Sequence, residues 1–480
     1  MRILVFILLV AQFGCSTFNS TRNEPLKDVN YEQGYRLLNT RGRNFGDTLV
    51  MVAFSGGGTR AAAFSYGVLK ALRDTPVFND GHTVSLLSEV DSISSVSGGS
   101  FTAAYYGAFG EEIFTSYEKE FLKQSNQGAL IASLFDPVFW WRSIFTGFDR
   151  TEMAVEYYDH EIFKGKTFKN IMERNGPFIE INATDLGGGT RFSFSQAYFD
   201  LLCSDMSSFS VARAVTASSA VPIAFPPVVL KNYAGSCSLE NDRFVRYVRE
   251  HKSEHTRLQE IDSRIEAYNN PKKHPFIHLV DGGVSDNLGI RAITDRLELI
   301  AAGGVYAPDT QIPRKVLIIT VDASVKPEKT VDESESKPSI TDTIDAFSDA
   351  QFRLYNFETR LLLEKKIKDI KHYYQSQGHE IDIYHADISF SSVKTKSMKS
   401  YLNQLPTALE LEDSQVDILT GMGETLLRDN GAFKAFLSAM HPYQVAPAPS
   451  PRNGSAIKPL RASLPTEAPP LQNPGKPVVD

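Results

Sequence analysis

Residues 48–60 read TLVMVAFSGGGTR: an apolar run after Thr48, then Ser55, three consecutive glycines, and Thr59-Arg60. A short continuous apolar run bounded by glycine predicts a strand buried on both faces. The residues after it, Ala61–Leu72 (AAAFSYGVLKAL), have helical composition and spacing. The same unit recurs along the chain. Val90–Val96 is a second strand candidate, with a helix starting over Phe101–Ala108. Phe178–Thr184 (FIEINAT), Ile277–Val280 and Lys315–Val321 (KVLIITV) supply further strands. Apolar strands alternating with helices predict an α/β protein whose mostly parallel central sheet is covered on both faces.

Three turns in this frame carry chemistry. The backbone N–H groups of Gly56, Gly57 and Gly58, between a strand and a helix N-terminus, are placed to face an anion. A phosphate loop would need Lys-Ser/Thr where Thr59-Arg60 stands, and the Gly-x-Gly-x-x-Gly spacing is absent, which argues against a nucleotide. In a hydrolase the anion is the oxygen of a tetrahedral intermediate, and one such donor is worth about 10²–10³ in rate. Ser97 stands where a strand ending at Val96 turns through Gly98 and Gly99 toward the next helix. A sharp turn of that kind exposes a serine, and small neighbours let it close. Asp281 follows the strand Ile277–Val280 and precedes Gly282 and Gly283, so it sits at a strand end, where ligands bind in α/β sheets. A carboxylate in reach of Ser97 can act as its base.

Taken in order, GGGTR (56–60), SGGS (97–100), ASSAVPIAFPPV (217–228) and DGGVSDNLG (281–289) resemble the patatin-like phospholipase family over about residues 48–330. The resemblance implies a three-layer α/β/α fold and a Ser–Asp dyad without histidine. It makes Ser97 the nucleophile, Asp281 the base, and Gly56, Gly57 and Gly58 the oxyanion hole. Arg60, Gly99 and Gly283 are supporting residues. It further implies cleavage of acyl esters in phospholipids or related lipids, without cofactor or metal. One departure is Ser95, where the usual elbow carries glycine. Two alternatives stay open: an acyltransferase built on the same acyl-enzyme, and a non-catalytic surface lipoprotein keeping the fold. The intact Ser97, Asp281 and glycine loop speak against the second.

The remaining sequence sets the surroundings. With 50 Lys+Arg against 57 Asp+Glu and a net charge of −7, the chain has no long basic stripe to release phosphate counterions. A nucleic-acid partner is therefore excluded. Met1-Arg2, the apolar run Ile3–Val10 and Gly14-Cys15 read as a secretory signal over residues 1–14, too short to span a bilayer. Gly14 directly before Cys15 resembles a bacterial lipoprotein processing site, which makes Cys15 the lipidation site and a membrane surface a partner. Ser16 after it favours the outer membrane over inner-membrane retention. Of three cysteines, Cys203 and Cys237 remain, and they either pair or stay as thiols. The expected organisation is a tether over 15–46, a hydrolase body over 47–440 and a disordered tail over 441–480. Helical insertions are expected near 240–270 and 340–375, the latter amphipathic around Phe352, Leu361, Leu362 and Ile367. The tail holds ten of the 24 prolines.

Three further signals have competing readings. His251-Lys-Ser-Glu254-His255 matches a zinc-peptidase spacing, yet its neighbours Arg249, Glu250 and Arg257 make it a solvated helix face. A late histidine (His372, His379 or His385) would be needed for a Ser–His–Asp triad, and these lie in or beside a polar helical stretch. Leu134–Phe148 (LFDPVFWWRSIFTGF) holds both tryptophans and reads equally as a lipid-facing segment or a packed cap.

Overall fold

The computed structural model describes residues 21–37, 39, 47–79, 81–146, 148–222, 224–239, 242–253, 256–301, 312–326, 335 and 337–440. The expected signal peptide, Cys15 and the tail over 441–480 lie outside them.

Eight strands form the central sheet: β1 (Thr48–Phe54), β2 (Val90–Val96), β3 (Phe178–Asp185), β4 (Thr190–Phe194), β5 (Val228–Lys231), β6 (Phe276–Val280), β7 (Lys315–Asp322) and β8 (Asp382–Ser389). The helices that matter below are α1 (Gly58–Arg73), α2 (Gly98–Phe109), α3 (Val211–Ser218), α4 (Ile340–Ser376) and α5 (Asp413–Asp429). Strands β8, β7, β1, β2 and β3 lie side by side and parallel. Past β3 the sheet becomes antiparallel, with β4 and β6 on β3 and β5 on β6. The sheet is thus mixed, and the parallel expectation holds for its first five strands. For β4 the change has a local cause. Leu186–Gly189 is a tight turn with Gly189 at φ 63, too short for the crossover a parallel return requires.

Alternation along the strands builds the layers. Val50, Val52 and Phe54 of β1, with Leu317, Ile319 and Val321 of β7, enter one apolar cluster together with α1, α2 and α5. The intervening Met51, Ala53, Val316 and Ile318 enter a second cluster with Leu363 and Ile370 of α4. Side chains pointing alternately to two helical layers give the three-layer α/β/α architecture. On the first face, α1 and α5 cross almost backbone to backbone. A Cβ on Gly67 would lie 2.0 Å from the Thr420 carbonyl oxygen, and one on Gly423 would lie 2.3 Å from that of Phe64. Gly67→Ala is therefore expected to destabilise the protein by about 1–3 kcal/mol, read as a lower denaturation midpoint. An unchanged midpoint would show that the crossing can open without loss.

Several elements differ from their expected form. The helical insertion expected near 240–270 consists of two helices, Arg243–His251 and Thr256–Tyr268, with Lys252 reaching Asp262 at 2.6 Å. The buried stripe of α4 is Asn356, Thr359, Leu363 and Ile370, while Phe352 and Leu361 face outward. The stripe is fixed by what the sheet presents: Asn356 Nδ2 donates to Ser324 Oγ at 3.2 Å, just beyond β7. Nor is residues 15–46 a free tether over its described part. Glu24–Pro25 pairs with Ser204–Asp205, and the buried Tyr35 hydroxyl donates to the Ile179 carbonyl at 3.0 Å. Cys203 and Cys237 are joined as a disulfide.

Candidate active site

The register of β3 brings the two key residues together. Val96, the last residue of β2, pairs with Asn182, and Val280, the last residue of β6, pairs with Thr184. Because β4 occupies the other edge of β3 along Ile181–Asp185, β2 and β6 share one edge and run toward each other. Only the level of Ala183 separates their tips. Asp281 therefore reaches Ser97 from the opposite direction to the parallel strands, not from among them.

Ser97 sits in the turn with φ 50 and ψ −122, a conformation that costs a non-glycine residue about 1–3 kcal/mol. A chain of hydroxyls holds it there. Ser97 N–H donates to Ser218 Oγ at 2.9 Å, and Ser218 Oγ donates to the Asn182 carbonyl at 2.6 Å. Ser100 Oγ donates to Ser95 Oγ at 3.1 Å and lies 3.0 Å from Ser218 Oγ. Ser95, the departure from the usual elbow, is thus a member of the bracing network. Glycine follows the serine because the glycine loop packs directly against it. A Cβ on Gly98 would lie 2.0 Å from the Gly58 carbonyl oxygen, and one on Gly99 2.6 Å from that of Ser55.

Ser97 Oγ donates to Asp281 Oδ2 at 2.8 Å, and both residues are buried, at 8% relative exposure. The other carboxylate oxygen accepts from Gly283 N–H at 2.7 Å. Burial pushes the Asp281 carboxyl up to about 6, against the opposing effect of the Gly283 N–H and the Ser97 hydroxyl. Its backbone is fixed on both sides. Asp281 N–H donates to the Ala220 carbonyl at 2.9 Å, and Thr184 Oγ1 donates to the Asp281 carbonyl at 2.8 Å. The stretch 217–228 therefore positions the acid from the C-terminal end of α3. Asp286, five residues on, is also pushed up to about 6 by burial, but its carboxylate accepts from Arg291 N–H at 2.6 Å and starts the next helix.

The three glycines are not equivalent. Gly56 N–H donates to the Asn287 carbonyl at 2.8 Å and is engaged, which departs from an oxyanion hole made of all three. The N–H groups of Gly57 and Gly58, at φ 136 and 60, find no acceptor among the described residues. Arg60 holds the loop from behind. Its guanidinium donates to the Ala323 carbonyl at 2.9 Å, the Leu405 carbonyl at 2.6 Å and Thr407 Oγ1 at 3.0 Å. Burial lowers this guanidinium to about 10, an effect partly offset by the charge of Asp322. Thr59 N–H adds a bond to the Ala408 carbonyl at 2.9 Å.

Sequence reasoning missed four contributors: Asn182, Ser218, Asn287 and the segment 405–408. Asn287 lies within the DGGVSDNLG stretch, and its Oδ1 would be 2.6 Å from a Cβ on Gly56 and 3.1 Å from one on Gly283. It thus sits between the glycine loop and Asp281, its amide nitrogen donating to Ser324 Oγ at 3.2 Å. Residues 405–408 carry no motif and are brought in only by tertiary packing.

The histidines are elsewhere. His385 lies in strand β8, not in a helical stretch, with Nε2 3.1 Å from Thr320 Oγ1. Three strand spacings, about 14 Å, separate β8 from β2. Among the described residues no histidine hydrogen-bonds Ser97 or Asp281. His251 stacks on Tyr247 with centroids 4.3 Å apart, while Glu254 and His255 lie outside the described residues.

Residues 52–293, just over half of the chain, match the family model described as patatin-like phospholipase. Among curated proteins none matches. Among solved structures the chain is similar to human GIVD cytosolic phospholipase A2 at 12% identity and a TM-score of 0.43, covering 82% of this chain and 62% of that one. It is also similar to human GIVD cytosolic phospholipase A2 in complex with methyl gamma-linolenyl fluorophosphonate, at 12% identity and a TM-score of 0.32, covering 82% of this chain and 59% of that one. The chain spans less than two thirds of the human protein.

Proposed function

Since the chain belongs to the patatin-like phospholipase family, we propose that it hydrolyses lipid acyl esters through a dyad of Ser97 and Asp281. The observation that carries this reading is the 2.8 Å hydrogen bond from a strained, elbow-mounted Ser97 hydroxyl to a buried carboxylate.

In the proposed reaction Ser97 Oγ attacks the ester carbonyl carbon as its proton passes to Asp281 Oδ2. The negative oxygen of the tetrahedral intermediate is held by the N–H groups of Gly57 and Gly58, and Arg60 keeps that loop in place. Collapse breaks the bond to the alkoxy oxygen, and the proton moves from Asp281 to the departing alcohol. Water then attacks the acyl-enzyme, giving its proton to Asp281, and the fatty acid leaves as Ser97 recovers its proton. A carboxyl with a pKa near 6 suits both steps. It is ionised at neutral pH, yet more basic than an ordinary aspartate.

The ionised form is the active one, so kcat/KM should fall about tenfold per pH unit below a midpoint of about 6 and stay level just above it. A pH profile on a dissolved short-chain ester checks this, and a flat profile through that region would remove Asp281 as the base.

We further propose that the protein is exported and anchored to a membrane, with the outer membrane favoured, through a lipid on Cys15. The N-terminal pattern over residues 1–15 and the Cys203–Cys237 disulfide, which persists in oxidising compartments, support this reading. Cys15→Ala should move the protein from the membrane fraction to the soluble one; membrane retention of the variant would refute the anchor.

A further inference from the structure

Among the described residues, exposed large apolar side chains flank the dyad and recur on two helices. Val221 is the residue after Ala220, whose carbonyl holds the Asp281 N–H, and Val284 lies three residues beyond the acid; both are exposed. A second exposed set lies on the helix Pro137–Thr146. Phe135 is 80% exposed, Trp140 57%, Trp141 61% and Ile144 73%. A third lies on α4, which exposes Leu354 and Phe357 beside Asn356, itself bonded to the loop beyond β7.

The aromatic helix is a built feature fixed to the dyad. Phe139 and Phe148 are buried beneath it, with ring centroids 6.0 Å apart. Arg142 lies 3.6 Å over the Phe148 ring and grips Glu156 with bonds of 2.8 and 2.6 Å. The following helix, Arg150–Tyr158, is tied to α3 by the buried Glu152–Arg213 pair at 2.7 and 2.6 Å. Thr151 Oγ1 donates to the Pro226 carbonyl at 2.6 Å. Since α3 ends on Ser218, which braces Ser97, the exposed aromatics and the nucleophile belong to one framework. In this segment Phe139 and Phe148 are buried while Phe135, Val138, Trp140, Trp141 and Ile144 are exposed.

We propose that these exposed side chains dock on the surface of a lipid aggregate, with the helix Pro137–Thr146 seated at the boundary between headgroups and acyl chains. This rests on the acyl-hydrolase reading and names the surface from which that site draws its substrate. The occupant follows from continuity with the dyad. A protein partner or second copy covering Val221 and Val284 together with the aromatic helix would close the approach to Ser97. A lipid surface covering the same face supplies the ester. Paired tryptophans suit that boundary, where an apolar ring and a polar N–H each find a partner.

The two tryptophans of the chain both lie on this helix, so intrinsic fluorescence reports on the proposed contact alone. Full-length protein carrying Cys15→Ala, which removes the proposed lipid anchor, and Ser97→Ala, which binds without turnover, is mixed with vesicles of phosphatidylcholine and phosphatidylglycerol. The expected result is a blue shift of the emission and quenching by lipids brominated on the acyl chain. No shift at vesicle excess would overturn the proposal. So would a shift without vesicles that grows with protein concentration, which would assign the face to self-association. Replacing Phe135, Trp141 and Ile144 by Ser together in that unanchored background should lower co-sedimentation with these vesicles at least about tenfold. Turnover of a dissolved short-chain ester by that variant, otherwise wild type at Ser97, should stay within about twofold, showing an intact fold. Unchanged co-sedimentation would also overturn the proposal. Failure of the unmodified chain to hydrolyse the dissolved ester would instead remove the hydrolase reading, so the two failures are distinct.

Discussion

Ser97→Ala is expected to lower kcat/KM on dissolved esters by at least about 10⁴-fold, with the fold retained. The substitution removes one oxygen from a position whose neighbours are set by backbone contacts. Ser97 N–H still reaches Ser218 Oγ, and Gly98 still packs on the Gly58 carbonyl. What is lost is the attacking atom and the hydroxyl that donates to Asp281 Oδ2. Because that donor helps keep the carboxyl ionised, the Asp281 pKa should rise further in the variant. Residual activity above a tenth of wild type would show that another group forms the acyl-enzyme.

Asp281→Asn is expected to cost about 10³–10⁴-fold, with the acid limb of the pH profile abolished. The amide has nearly the carboxylate's shape, and Gly283 N–H at 2.7 Å can still donate to its oxygen. Its nitrogen then faces Ser97 Oγ as a donor and can accept no proton. The oxyanion donors and the strained elbow remain, which sets the residual rate above that of the uncatalysed reaction. Ser97→Ala and Asp281→Asn combined should lose little more than Ser97→Ala alone, since the two side chains act as one unit. Additive losses would mean that they act in separate steps.

The sheet was legible where strands are short apolar runs. β1 and β2 match their expected limits, and β3, β6 and β7 differ by single residues. Strands β4, β5 and β8 were not read. β8, DIYHADIS, mixes polar residues into an edge strand paired on one side only, so no apolar run marks it. Strand direction was the larger gap. Nothing local in FIHLV (276–280) distinguishes a parallel strand from one arriving head-on, because direction is a property of the connections. The glycines announced where backbone comes close, and the contacts at Gly98, Gly99 and Gly56 explain that signal. The residues that brace the site from other elements were not read. Asn182 sits mid-strand, Ser218 ends a helix, and Leu405–Ala408 lies more than 300 residues from the loop it pins, with Arg60 and Leu405 345 apart. Polar residues that brace a site through side-chain hydrogen bonds leave no periodic trace.

The most direct test of a serine activated by Asp281 is covalent capture with a fluorophosphonate at neutral pH, followed by mapping of the modified residue. Unmodified protein should take one adduct, on Ser97. Labelling should vanish in Ser97→Ala, be strongly slowed in Asp281→Asn, and weaken in unmodified protein as pH falls through about 6. An adduct on any other residue, or undiminished labelling of Ser97→Ala, would contradict the account.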